Sequence, residues 1–116
     1  MLIFHLKKKW FDLIKEGKKT HEYRVCNKYW TKRIYKHFNL DTYVYIPPNP
    51  NIVFALGYPA KKDKEKMIKA IVKRLRIIDG KNTDLKYNGK VFDIEFKTEL
   101  AIEQECADKR SNRFSL

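Results

Sequence analysis

The chain has 116 residues, room for one domain around one modest core and not for two. Hydrophobic residues make up 43% and aromatic residues 14%, a composition too apolar for an intrinsically disordered chain. Lys and Arg number 26 against 14 Asp and Glu, and the resulting +12 points to a polyanionic partner, with a solvated basic surface as the plain alternative.

Two cysteines, Cys26 and Cys106, are too few for a secreted disulfide framework. They also lie far from any paired histidines, so a zinc site is not expected, and no glycine-rich phosphate loop is present. We therefore expect no metal and no cofactor. The longest apolar run is too short to cross a bilayer, and Met1 to Trp10 carries three lysines and no sustained apolar core. The expected setting is a reducing cytoplasm, without a membrane partner and with a monomer favoured.

Leu2 to Leu6 reads as a first strand. Leu6, Trp10, Leu13 and Ile14 then recur with a period of 3.6, the stripe of an amphipathic helix. Gly17 stands where that helix would end in a left-handed residue, and Lys15 suits the negative end of its dipole. Thr20 to Val25 reads as a strand. Asn27 is placed to cap a second short helix with Trp30, Arg33, Ile34 and His37 on one face. Thr42 to Ile46 and Ile52 to Leu56 are strand-like runs separated by Pro47, Pro48 and Pro50, which cannot donate to a ladder.

The segment from Met67 to Ile78 is ambiguous. Met67, Ile68, Ile71, Val72 and Leu75 form a helical stripe, whereas Ile71, Val72, Ile77 and Ile78 are β-branched; periodicity alone leans to a helix. Eight basic residues fall between Lys61 and Arg76, the densest positive run. Val91 to Phe96 reads as a strand. From Thr98 to Leu116 the chain is polar, and we expect a short helix at most, then fraying. Residues 1–97 would form the domain and 98–116 a tail.

Gly17-Lys18-Lys19-Thr20-His21-Glu22-Tyr23-Arg24 joins the first helix to a strand. A turn feeding a strand puts Lys19 at its mouth, while Glu22 and Arg24, two residues apart, project from one face. That is either a polar constellation with a task or a surface ion pair contributing little. Strand alternation turns His21 away from Glu22. The three histidines, His5, His21 and His37, share no spacing and read as structural or surface residues.

The segment from Trp10 to Arg24 resembles the ASCH domain, a branch of the PUA-like superfamily, whose signature is a helix followed by Gly-x-Lys-x-x-Glu-x-Arg. Gly17, Lys19, Glu22 and Arg24 match it. Two further blocks, Asn27 to Arg33 and Leu56 to Pro59, resemble those of small ASCH proteins of bacteria and their phages. The resemblance spans about residues 3–97. It implies an α+β fold, a small β-barrel of five to six mostly antiparallel strands with two short N-terminal helices, and it makes Met67–Ile78 a strand. It also implies a cleft beside the motif, lined by Lys19, Glu22 and Arg24, that accepts RNA or a modified nucleoside.

Around that cleft, Lys28, Lys32 and Arg33 are candidates for phosphate, and Tyr29, Trp30 and Tyr58 for stacking on unpaired bases. Tyr23 and Tyr35 are further aromatic candidates, although Tyr23, with Trp10, suits the core better. The alternative is an enzyme acting on RNA or a modified nucleoside, with Lys19 and Glu22 as an acid–base pair and Arg24 as an electrostatic stabiliser. Some ASCH-like proteins resemble amidohydrolases of acylated cytidine that carry a nucleophilic threonine where Glu22 stands. A carboxylate cannot form that acyl intermediate by the same route. A third possibility is an interaction protein that binds a macromolecule through the Lys61–Arg76 run.

Overall fold

A computed structural model describes residues 2–38 and 50–114, with side chains to residue 107. The amphipathic stripe near the N-terminus forms helix α1 (Lys8–Lys15), which buries Phe11 and Ile14. Gly17 ends it at φ +78°, in the left-handed region. The Lys18 N–H donates to Leu13 O at 2.9 Å and the Gly17 N–H to Ile14 O at 3.1 Å, so the last carbonyls of the helix are satisfied by a Schellman turn. Helix α2 (Lys28–Phe38) starts where Asn27 Oδ1 accepts from the Trp30 N–H at 2.9 Å. Its buried residues are Ile34 and Phe38, with Trp30 packed against the core; Arg33 is exposed and does not share that face.

The strands β1 (Ile3–Leu6), β2 (His21–Val25), β3 (Asn51–Leu56), β4 (Met67–Asp79) and β5 (Lys90–Thr98) make one sheet in the order β1-β3-β4-β5-β2. Among the described strands only β1 and β3 run parallel; the other three pairings are antiparallel. Residues 67–79 are extended, and the helical reading of their periodicity fails. Its physical reason is tertiary: β4 is paired on both sides, to β3 and β5, and those ladders outweigh a local preference. Ala70 and Val72 turn inward while Lys69, Ile71 and Lys73 face out, until a register shift between Val72 and Arg74 resets the alternation.

The inner face of the sheet carries Phe4, Phe54, Phe92 and Phe96, which close over Phe11 and Ile14 of α1 and Ile34 and Phe38 of α2. Phe54 packs on Phe96 with ring centroids 4.6 Å apart, and on Phe4 at 5.8 Å. The described strands form a half-barrel, α+β in class, and within it β1 and β2 remain edge strands that do not pair with each other. The strand expected at Thr42–Ile46, with Pro47 and Pro48, lies outside the described residues.

Helix α3 (Glu99–Phe114) runs for 16 residues, longer than the short helix expected from its polar sequence. Two features start it. Thr98 Oγ1 accepts from the Ala101 N–H at 3.2 Å as an N-cap, and Lys97 of β5 pairs with Glu105. Cys26 and Cys106 form no disulfide. No described helix is long and apolar enough to cross a membrane.

Replacing Gly17 with Ala puts a Cβ on a left-handed residue and should destabilise the fold by about 1 kcal/mol. Urea denaturation of the two proteins checks this; equal midpoints and slopes would show that the turn tolerates a side chain.

Candidate functional site

Strands β1 and β2 stand at opposite ends of the sheet, and its curl brings their free edges to either side of one cleft of about 350 Å³. His5, Leu6 and Lys7 line it from β1 and the residue after it, and Glu22 to Val25 from β2. Trp10 of α1 and Trp30 of α2 close it as aromatic walls.

The register of β2 decides what the cleft contains. Glu22 lies opposite Ile94 and Arg24 opposite Phe92, so both charged side chains share the face of two core residues. Glu22 is only 6% exposed. Its Oε1 accepts from the Tyr23 N–H at 3.1 Å, while Oε2 is buried without a hydrogen-bond partner, 3.9 Å from the Arg24 guanidinium. Burial pushes the Glu22 carboxyl above the usual 4.5, against the opposing pull of the Arg24 and Lys19 charges. Arg24 lies 4.7 Å from the Trp30 ring centroid and 5.2 Å from that of Phe4, and its Nε also has no partner. Native proteins satisfy nearly all buried polar groups, so two such orphans side by side make this cleft the candidate site.

Lys19 is the third cleft residue of the motif. Its ammonium sits 2.6 Å from Asp84 Oδ2, 4.9 Å from the Trp10 ring centroid and 5.3 Å from that of Tyr23. Asp84 comes from the loop after a 3₁₀ turn at Gly80–Asn82, where Thr83 Oγ1 donates to Gly80 O at 2.8 Å. Gly80 is required there, because a Cβ would come within 2.7 Å of Tyr87 O. The carboxylate is 65 residues from Lys19 in sequence, and no local pattern could have announced it.

Lys19, Glu22, Arg24 and Trp30 thus line one cleft, whereas Lys28, Tyr29, Lys32 and Arg33 are exposed on α2 and do not line it. Tyr58 follows β3, is 86% exposed and stacks on His5 beside the cleft. Trp10 of α1 packs against the core, as its sequence suggested, and also lines the cleft; Tyr23, expected in the core too, is half-buried on the edge strand β2 and lines the cleft. Tyr35 is exposed on α2, outside the cleft. Sequence reasoning missed His5, Lys7, Asn27 and Asp84 as lining residues.

His21 points to the outer face, where its Nδ1 is 2.7 Å from Asp93 Oδ1; Arg76 holds the other oxygen of that buried carboxylate at 2.6 Å. His37 bonds Asn51 O at 2.8 Å, and burial lowers its pKa. No serine or threonine is among the described residues lining the cleft, and Thr20 is exposed outside it. The described residues contain no cluster of metal-ligating side chains.

The family model of the ASCH domain matches residues 4–86, well over half of the chain, and the chain belongs to that family. The match takes in β1 from its second residue, then β2 through β4, the signature motif and Asp84; β5 and α3 lie beyond it. Neither the curated proteins nor the solved structures include a match to the chain.

A carboxyl whose folded pKa is raised holds its proton more tightly in the native state. The contribution of this group to stability is full at pH below the unfolded value and is lost as pH rises through the folded one. Glu22→Gln removes that titration, so it should melt above wild type at neutral pH, with the gap closing as pH falls below 4.5. Melting curves across pH check the sign. A variant less stable at neutral pH would show that the Arg24 and Lys19 charges outweigh burial.

Proposed function

We propose that this ASCH domain protein binds RNA or a modified nucleoside, with one base held in the cleft between β1 and β2. The observation that carries the reading is the buried pair of orphan groups, Glu22 Oε2 and Arg24 Nε, between the aromatic walls. A carboxylate oxygen accepts from the exocyclic amine of a base, and a guanidinium donates to a ring carbonyl or nitrogen. A planar base brings both and stacks on the Trp10 or Trp30 side of the cleft; bare phosphate offers no donor to Glu22.

The charge balance inside the cleft supports a base over a phosphate. Lys19 is already paired with Asp84 and Arg24 is beside Glu22, so the interior cations face carboxylates. Phosphate groups fit better outside, on the exposed Lys28, Lys32 and Arg33 of α2. The amidohydrolase reading is the weaker one. A carboxylate replaces the threonine of that pattern, and the described lining supplies no serine or threonine hydroxyl.

Retention of a fluorescent mixed-sequence single-stranded RNA at rising salt tests this. The double variant Lys32→Ala, Arg33→Ala should weaken binding of all sequences alike and flatten the log–log salt dependence by roughly 0.7 for each lost contact. Glu22→Gln should keep RNA affinity within a few-fold, and neither form should cleave RNA or deacylate acetylcytidine. Wild-type hydrolysis that drops by about 10²–10⁴ in Glu22→Gln would instead make Glu22 a general acid or base. Salt-independent retention would remove the electrostatic part of the reading.

A further inference from the structure

A second depression adjoins the cleft and shares its wall. It is lined by Lys8, Leu56, Gly57 and Tyr58, and His5, Leu6 and Lys7 border both. Tyr58 is the most exposed large hydrophobic residue described, at 86%. It is nonetheless built in, not loose. Its ring stacks on His5 with centroids 4.1 Å apart and planes 20° from parallel. His5 Nδ1 is 2.7 Å from Gly57 O, and since a carbonyl only accepts, that nitrogen carries the proton and donates. The Gly57 N–H in turn donates to Leu6 O at 2.9 Å.

The turn bearing Tyr58 is therefore tied twice to the end of β1. Gly57 takes φ +61°, a left-handed conformation that suits glycine, and Pro59 restricts Tyr58 itself to extended backbone. An aromatic ring whose orientation is set in advance, with one side against His5 and most of its area in water, loses little entropy when a second ring lies on it. Lys7 and Lys8 flank the same depression, and Lys7 borders the cleft as well.

Resting on the reading of the cleft as a base pocket, we propose that Tyr58 stacked on His5 seats the neighbouring base of the same strand, with Lys7 at the phosphodiester between the two. The ligand class is then a single-stranded oligonucleotide of at least two residues, and a free nucleoside fills only half of the site.

The test measures a fluorescent mixed-sequence 12-nucleotide RNA directly, and cytidine, adenosine and guanosine as its competitors, on wild type, Tyr58→Ala and Tyr58→Phe. Stacking on one base predicts that Tyr58→Ala weakens the 12-mer about tenfold, leaves competition by the nucleosides within twofold, and is rescued by Tyr58→Phe. Unchanged 12-mer affinity in Tyr58→Ala would overturn the second seat while leaving the cleft reading intact. Equal loss for the 12-mer and the nucleosides would overturn it too, because Tyr58 would then be shaping the cleft itself. Failure of wild type to bind either RNA or nucleosides would instead remove the base pocket on which the second seat rests.

Discussion

The pairing of β2 with β5 is the constraint from which the cleft follows. In the observed register, Glu22 and Arg24 oppose Ile94 and Phe92, and a slip of one residue would exchange them for His21 and Tyr23. The inner face would then carry an imidazole and a phenol, and the two charges would face water. The register is held because the outer face is specified as strongly as the inner one. Asp93, 1% exposed, takes His21 on one oxygen and Arg76 on the other, joining β2, β5 and β4. Removing either partner would leave a buried carboxylate short of a hydrogen bond, which is costly.

That outer network also changes the meaning of the positive run between Lys61 and Arg76. Lys73 and Arg74 face Glu95, and Arg76 faces Asp93, so the second half of the run serves the sheet. The first half, from Lys61 to Lys69, is exposed in the turn and at the start of β4 apart from Met67, Ile68 and Asp63, which are half-buried. A high net charge read from composition therefore overstates what is available to a polyanion.

Inside the cleft the same economy of charge is incomplete. Arg24 lies over Trp30 and Phe4, and Trp30 is placed by the Asn27 cap, so the guanidinium is held by rings more than by hydrogen bonds. Glu22 is desolvated by the same packing without gaining a second hydrogen bond. A fold that satisfies Asp93 fully and leaves Glu22 and Arg24 half-satisfied concentrates its unspent hydrogen bonding in one place, between two sheet edges.

Local elements were legible because their signals are local. The α1 stripe, Gly17 as its stop, Asn27 as a cap and the strands near 21–25, 52–56 and 91–96 each depend on a few neighbouring residues. The signature motif identified the family and gave Lys19, Glu22 and Arg24, all three lining the cleft. Residues 67–79 were decided by β3 and β5 on either side, since the apolar stripe there has a helical period while its β-branched residues favour a strand. Thr98 and the Lys97–Glu105 pair extended α3 beyond what its polar composition suggested. Asp84, His5 and Lys7 entered the site only through the curl of the sheet, and Tyr58 came to its edge through a turn tied to β1. Periodicity reports which way a side chain points from its own element; which distant side chain it meets is set by strand order and register.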